Sequence, residues 1–316
     1  MQQRSVWGYV RLLLKGVLMG AADAVPGVSG GTVAFITGIY EELIHSIRRC
    51  DPQALQVLFK QGLKAFWQHI NGNFLVTLLA GIGLSLATLA HIVLYLLDQH
   101  PVLLWAFFFG LILASVWSVA RHVGEWTSIR TLTFFAGALF AYLITSLSPT
   151  AVEATPIFVV ISGMIAICAM ILPGISGSFI LLLLGMYSTI LTAVKELQLV
   201  TMGLFAFGCI LGLLSFTRVL SWAFSRYHSL TLALLGGFLL GSLNKVWPWK
   251  YTLSYTINSK GEKVPLVEQN ITPQAFFDLT GVDPQTLACV VLAIVGALLV
   301  LALDRNRGSS NVEAKA

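Results

Sequence analysis

The chain has 316 residues, of which 57% are hydrophobic and 10% are charged, and its formal net charge is +5. Soluble domains carry about 25% charged residues, so a soluble protein of this length could not bury so much apolar surface. The composition therefore excludes a soluble globular protein and indicates an integral membrane protein. The basic residues lie mostly at the ends of apolar segments, where they orient helices, so they do not indicate nucleic-acid binding.

Apolar segments recur along the whole chain, and several reach the ~20 residues that a membrane-spanning helix needs. The predicted segments are about 5–22, 29–47, 74–97, 101–120, 131–147, 157–172, 175–194, 202–224, 228–247 and 286–303. The sequence lacks the alternating ten-residue pattern of membrane strands, so the predicted fold class is all-α, a polytopic membrane helical bundle. A basic loop at about 45–73 and a polar loop at about 249–284 separate some of these segments.

An internal duplication organises these segments. The motif Pro-Gly-x-Ser-Gly begins at Pro26 and again at Pro173, 147 residues later (173 minus 26), and a Gly-x-Tyr motif at 38–40 returns at 185–187 with the same spacing. Further along, Gly81 matches Gly208 at a spacing of 127 residues (208 minus 81). The pattern predicts two repeats, 1–148 and 149–316, within one membrane domain, and each repeat is a broken apolar pair followed by three spans.

The distribution of Lys and Arg gives an orientation. The loop at 45–73, the connector at 121–130 and the C-terminal tail are basic and are predicted to be cytoplasmic, whereas the connector at 148–156 has no Lys or Arg and is predicted to be external. Both termini then lie inside. Because each repeat crosses the membrane an odd number of times, the second repeat enters from the opposite face. This inverted topology is common in secondary transporters.

The two Pro-Gly-x-Ser-Gly segments are predicted to break their helices, because Pro removes an amide donor and Gly weakens a helix. Broken backbone at membrane depth is tolerated only inside protein or beside a water-filled cavity, so we predict two re-entrant hairpin tips that meet near the midplane. Each tip would begin a new helix whose free N–H groups favour an anion. The alternative is that the breaks are kinks that help helices pack. The helix-break residues are Pro26, Gly27, Pro173 and Gly174, and the predicted anion ligands are Ser29, Gly30, Gly31, Thr32, Ser176, Gly177 and Ser178.

The stretch from Ala22 to Thr32 (Ala-Asp-Ala-Val-Pro-Gly-Val-Ser-Gly-Gly-Thr), followed by Gly-Ile-Tyr-Glu at 38–41, resembles the signature of a bacterial membrane family. That family was long known only as a domain of unknown function and is now associated with polyprenyl-phosphate translocation under the name PopT. The resemblance covers nearly the whole chain. It implies a multi-pass carrier in the cytoplasmic (inner) membrane that returns undecaprenyl phosphate from the outer to the inner leaflet for cell-envelope polysaccharide and peptidoglycan synthesis.

Charged groups inside apolar segments are candidate functional residues. Arg218 is a candidate phosphate ligand, because its planar guanidinium matches phosphate, and snorkelling to the interface is its alternative role. Its repeat counterpart is His91, a candidate gating residue. Asp23 and Glu41 occur only in the first repeat and are candidate coupling carboxylates. The alternatives are a hydrogen bond that holds the break for Asp23 and an ion-paired helix end for Glu41.

The remaining expectations concern ligands and rival functions. Tyr40 and Tyr187 either orient a headgroup or pack in the interior. No cofactor or metal is predicted, and coupling to H⁺ or Na⁺ and a homo-oligomeric state are left open. The six histidines and four cysteines are dispersed and form no catalytic or metal-ligand pattern, so a lipid phosphatase is disfavoured and the protein is predicted not to be an enzyme. A secondary transporter of a small soluble anion, using the same site, is the main alternative, and a scaffold without a transported ligand is a third.

Overall fold

The computed structural model describes residues 4–23, 25, 28–147, 152–257 and 263–313. Within these ranges the chain is mostly helical and has one two-stranded antiparallel hairpin, so the predicted all-α polytopic bundle is confirmed with a small β addition. The elements are α1 (Val6–Asp23), α2 (Gly30–Ile36), α3 (Tyr40–Arg48), α4 (Pro52–His69), α5 (Gly72–Gln99), α6 (Pro101–His122), α7 (Ser128–Ser146), α8 (Pro156–Ile171), α9 (Gly177–Leu183), α10 (Tyr187–Lys195), α11 (Leu199–Ser242), β1 (Lys250–Ile257), β2 (Lys263–Asn270), α12 (Pro273–Thr280) and α13 (Thr286–Glu313).

Within the described residues, four helices are long and apolar enough to cross a membrane, namely α5, α6, α7 and α11, and the pair α9–α10, bent by 110°, is a fifth candidate. Helix α11 has 44 residues and is about 66 Å long, twice the ~30 Å hydrocarbon core. It is divided at Tyr227, whose backbone (φ −136°, ψ 49°) is not helical. His100, which separates α5 from α6, has the same φ and ψ and lies 127 residues earlier (227 minus 100). The arms of α11 therefore correspond to α5 and α6.

Two predicted loops contain regular structure. The basic segment at 45–73 contains helix α4, which Asp51 caps by accepting a hydrogen bond from the Ala54 N–H at 3.1 Å. Pro52 occupies the first helical position, where proline is favoured. The polar segment at 249–284 contains the β-hairpin and α12. Both connecting segments thus contain regular structure, and their cytoplasmic and external placement stays a prediction.

Glycines at repeat-related positions bring helix backbones into contact. A Cβ added at Gly81 would overlap the carbonyl oxygen of Leu13, and one added at Gly208 would overlap that of Val160. Gly81 and Gly208 are the pair that the sequence matched, and Leu13 and Val160 are 147 residues apart (160 minus 13). The helix pairs α1–α5 and α8–α11 therefore pack through equivalent contacts, which are typical of small residues between membrane helices.

Close glycine contacts at repeat-related positions also join helices of different repeats. A Cβ added at Gly110 on α6 would overlap the carbonyl oxygen of Ala293 on α13. In the counterpart contact, a Cβ added at Gly237 on α11 would overlap the carbonyl oxygen of Phe134 on α7. Each repeat thus packs one of its helices closely against a helix of the other, so the two share one interior.

The hairpin is fixed to the end of the bundle by two tryptophans that follow α11. Trp247 donates from Nε1 to the Ile271 carbonyl at 2.8 Å, and Trp249 donates from Nε1 to the Pro284 carbonyl at 2.9 Å. Tryptophan is enriched where a membrane meets water, because its ring is apolar and its N–H is polar. Here both N–H groups join the segment that follows α11 to residues just after β2 and just before α13.

Candidate functional site between two helix breaks

Both motif segments lead into short helices. We call residues 28–32 the first tip and residues 173–178 the second tip. Ser29 has an extended backbone (φ −121°, ψ 133°), and its Oγ accepts a hydrogen bond from the Gly31 N–H at 3.1 Å at the start of α2. Ser176 is also extended (φ −98°, ψ 130°) and precedes α9. The prediction that each break begins a new helix is confirmed, while Pro26 and Gly27 lie outside the described residues.

The two tips contact each other directly, as predicted. Ser29 Oγ donates to the carbonyl of Met170 at 2.9 Å, just before the second tip. The Gly174 N–H donates to Thr32 Oγ1 at 2.9 Å. Ser29 and Thr32 are 1% and 0% exposed. The repeated motif therefore forms one buried polar contact between the repeats, although its two sides are not identical.

The first tip is already bonded to a carboxylate of the chain. The Gly30 N–H donates to Asp23 Oδ1 at 2.6 Å, and a Cβ at Gly30 would overlap that carboxylate. The hydrogen bond that holds the break, weighed as the alternative role of Asp23, is therefore present. The repeat counterpart of Asp23 is Met170, and a Cβ at Gly177 would lie 3.2 Å from Met170 Cβ. The tips thus match in backbone but differ in charge.

The second tip turns on Gly174, whose φ of +86° lies in the left-handed region that favours glycine. A Cβ there would also lie 2.9 Å from Ser242 Oγ, so the tip rests on the end of α11. Ser176 Oγ and Ser178 Oγ share a hydrogen bond at 2.9 Å. Unlike α2, helix α9 has no side-chain cap at its start. Of the predicted anion ligands at the tips, Ser178 is half-buried, and the others are buried, namely Ser29, Gly30, Gly31, Thr32, Ser176 and Gly177.

A second turn follows each short helix at the repeated Gly-x-Tyr motif. Gly38 and Gly185 have φ of +77° and +68°, and each separates two helices that were predicted as one segment. Tyr40 is 2% exposed and packs edge-on against Phe35, with ring centroids 5.1 Å apart. Its counterpart Tyr187 is 43% exposed. The packing role weighed for these tyrosines fits Tyr40, and neither joins the tips in this structure.

The remaining candidate residues lie apart from the tips. Glu41 Oε1 is 3.1 Å from His228 Nε2, and both side chains are more than half exposed. This exposed polar contact at the start of α3 fits the helix-end role considered as the alternative for Glu41. Arg218 and His91 are exposed on α11 and α5. Within the described part of the chain, no hydrogen bond or ion pair joins either of them to a tip. The snorkelling role considered for Arg218 fits this placement, and its role as a phosphate ligand stays a prediction.

Lys15, which was not among the predicted site residues, contacts the C-terminal end of α2, at the other end of that helix from the first tip. Lys15 Nζ donates to the Thr37 carbonyl at 2.7 Å, where α2 ends. A cation at a helix C-terminus is favourable, because the last carbonyls are unpaired and carry partial negative charge. Lys15 lies inside the apolar pattern of α1, and a charge in such a segment is itself a signal of a specific role.

Sequence analysis also missed a polar cavity of about 300 Å³ between the ends of α7 and α11, helix α9 and the hairpin. Its charged residues are Lys245, Lys250 and Glu268, and we call it the lysine cavity. Lys245 Nζ donates to Glu268 Oε2 at 3.4 Å, and Lys250 Nζ lies 3.7 Å from the same oxygen. Burial lowers the pKa of Lys250 to about 8. The sequence did offer one indication of this cavity. Lys245 and Lys250 follow α11 on the side predicted to be external, where Lys and Arg are less common.

Comparison with known proteins places the chain in a family. A family model described as VCA0040-like, undecaprenyl phosphate translocase-like, matches residues 19–264, which include both tips. The chain belongs to this family. It is 54% identical over 297 residues to a polyprenyl-phosphate transporter of Vibrio cholerae, covering 94% of this chain and 96% of that protein. It is 33% identical over 254 residues to a polyprenyl-phosphate transporter of Staphylococcus aureus, covering 75% and 85% respectively. No solved structure matched.

We expect Thr32→Val to destabilise the protein, whereas Thr32→Ser should be close to wild type. Valine has nearly the same shape but leaves the buried Gly174 N–H without its acceptor. An unsatisfied buried donor costs about 1–3 kcal/mol. Thermal unfolding of the purified protein in detergent measures the difference. Equal unfolding temperatures for the two variants would contradict the importance of this contact between the tips.

Proposed function

We propose that the protein moves a polyprenyl phosphate from the outer to the inner leaflet of the bacterial cytoplasmic membrane, for reuse in cell-envelope polysaccharide synthesis. The observation that carries the proposal is the 54% identity, over 94% of the chain, to a polyprenyl-phosphate transporter. The polytopic bundle supports it, because a lipid tail can stay in the bilayer while only the phosphate headgroup crosses through protein. Undecaprenyl phosphate is the substrate that the family description names.

In this proposal the headgroup crosses between the two tips. Each short helix has seven residues and spans about 10 Å, a third of the ~30 Å hydrocarbon core, so a re-entrant tip would end within the membrane. N–H groups at helix starts favour a phosphate. Because Asp23 occupies the Gly30 N–H, we propose that the phosphate first engages the second tip, through Ser176, Gly177 and Ser178. Rocking of two inverted repeats about this contact would then expose the site to each side in turn.

Inward movement of the headgroup works against the membrane potential. A phosphate monoester carries about −1.5 to −2 charges at neutral pH. Moving one charge through 100 mV costs about 2.3 kcal/mol, so this anion would need about 3.5–4.6 kcal/mol per 100 mV. We propose that H⁺ or Na⁺ moves with it. Asp23 is the better placed of the two candidate carboxylates, because it contacts the first tip, whereas Glu41 pairs with His228 at an exposed helix end.

Flux in proteoliposomes tests the proposal. Undecaprenyl phosphate would be supplied in the outer leaflet, and an impermeant phosphatase would then report the fraction still accessible. We expect purified protein to speed the loss of accessibility at least about tenfold over protein-free vesicles, and we expect no uptake of inorganic phosphate. Uptake of inorganic phosphate without lipid movement would favour the small-anion transporter.

We expect Ser176→Ala to slow the lipid flux several-fold, because it removes a hydroxyl from the second tip. Ser215→Ala is the matched control, since Ser215 is exposed on α11 and its Oγ donates to the carbonyls of Leu211 and Gly212 in the same helix. Flux is compared between variants that elute as the wild type does from a sizing column. Wild-type flux in Ser176→Ala would argue against a phosphate contact at the second tip.

A further inference from the structure

The lysine cavity holds more positive charge than its own residues neutralise. Lys245 and Lys250 share a single carboxylate, that of Glu268. The Lys250 side chain is 7% exposed, and its Nζ lies 3.8 Å from the centre of the Trp105 ring. Among the residues that the structure describes, this atom has no hydrogen-bond partner. Buried polar groups are nearly always hydrogen-bonded, and an ammonium has three donors. The charged residues that line the cavity therefore have a net charge of about +1, and the buried ammonium of Lys250 has unused donors.

The cavity adjoins the second tip. Lys245 Nζ lies 4.8 Å from the centre of the Phe179 ring, and Phe179 directly follows Ser178 in α9. Phe179 forms part of the cavity wall. Ser242, on which Gly174 rests, is three residues before Lys245. An anion held by the lysines would thus be separated from the second tip by little more than one side chain.

The cavity also reaches the outer surface of the bundle. Tyr142 and Leu147, at the end of α7, form part of its wall and are 49% and 56% exposed. Apolar and aromatic groups exposed at the end of a membrane helix face lipid or its interface. A lipid headgroup could therefore enter from the side while its tail stays in the bilayer. A volume of about 300 Å³ equals about ten waters at ~30 Å³ each, enough for a phosphate group.

We propose that the lysine cavity is the loading site for a phosphate monoester headgroup on the external side, with Lys245 and Lys250 as its ligands and Glu268 as the internal anion that the headgroup displaces. This inference rests on the proposed function and adds an entry site to it. The charges of the cavity favour a phosphate over a cation or a neutral sugar, because two ammonium groups face one carboxylate. Hydrogen bonds from an ammonium group to a phosphate are charge-assisted and roughly twice as strong as bonds between neutral groups.

Binding to purified protein in nanodiscs tests the inference, with undecaprenyl phosphate and inorganic phosphate as separate probes. We expect Lys245→Gln with Lys250→Gln to raise the lipid dissociation constant at least about tenfold, and Glu268→Gln to lower it about threefold or more. Lys60→Gln with Lys64→Gln, which removes two exposed positive charges from α4, is the charge-matched control and should stay within about twofold. The tighter lipid binding expected for Glu268→Gln still tests the inference if the double lysine variant folds poorly.

The outcomes separate this inference from the proposed function. If the wild type transports the lipid but neither the double variant nor Glu268→Gln changes its binding, the loading site is wrong and the proposed function stands. If inorganic phosphate binds at the lysines and the lipid does not, the ligand is a free phosphate and the lipid loading site is overturned. If the wild type neither binds nor moves the lipid, the proposed function itself fails.

Discussion

Gly110→Ala is expected to destabilise the protein by about 3 kcal/mol or more. The added Cβ would overlap the carbonyl oxygen of Ala293, and a backbone atom of a packed helix cannot move aside as a side chain can. Overpacking a close contact costs about 1–3 kcal/mol and occasionally more. Here α6 and α13 would have to separate along their contact. Thermal unfolding in detergent, followed by circular dichroism, measures the effect.

A matched glycine makes this result interpretable. Gly83 lies on α5 with no atom within 4 Å of an added Cβ. Gly83→Ala should be neutral or stabilising, because alanine favours a helix by about 1 kcal/mol over glycine. The repeat counterpart, Gly237→Ala, should lose stability as Gly110→Ala does. An unfolding temperature for Gly110→Ala equal to that for Gly83→Ala would contradict the close contact.

These glycines explain why so much of the fold follows from the sequence. Gly81 and Gly208 match at a fixed spacing because each lets a helix contact the backbone of its neighbour, and a larger residue would separate them. Because both positions need a residue without a side chain, glycine is found at the same position in each repeat. The Pro-Gly breaks were predictable for a similar reason, since few sequences interrupt an apolar helix so strongly.

The turns and the polar end of the molecule were harder to predict. Gly38 and Gly185 have positive φ, but glycine is also frequent inside membrane helices, so the residue alone does not distinguish a turn from a packing contact. The lysine cavity depends on the hairpin register, which pairs Lys250 with Asn270 and brings Glu268 to both lysines. Such long-range pairing leaves no periodic signal in a single sequence.

The first tip and the lysine cavity, the two sites that favour an anion, have a similar arrangement of donors and carboxylate. At the first tip the Gly30 N–H is bonded to Asp23, and in the lysine cavity both ammonium groups face Glu268. Each place thus holds a carboxylate of the chain where the proposed mechanism puts a phosphate. An internal carboxylate satisfies buried donors without the substrate, which limits the cost of an empty site. It also requires the substrate to displace that carboxylate, which offers a way to couple transport to protonation.

Asp23→Asn is therefore expected to weaken the response of lipid flux to a pH gradient while leaving the protein folded. The asparagine carbonyl can accept the same hydrogen bond from Gly30, so the break keeps its geometry, but the group no longer titrates. In wild-type proteoliposomes we expect an acidic exterior to speed inward flux, because a proton on Asp23 frees the Gly30 N–H and offsets part of the charge of the headgroup. In Asp23→Asn the gradient should speed the flux much less than in the wild type, because only the headgroup phosphate, whose second pKa is about 6, still titrates.

Asp23→Met, which copies the repeat counterpart Met170, separates the hydrogen bond from the charge. It removes both, so the Gly30 N–H loses its partner and the unfolding temperature should fall, whereas Asp23→Asn should unfold close to wild type. The Glu41→Gln variant serves as the carboxylate control, because Glu41 pairs with His228 at an exposed helix end and should keep the wild-type gradient response. If Asp23→Asn responds to the pH gradient as the wild type does, Asp23 holds the first tip in place and carries no coupling proton.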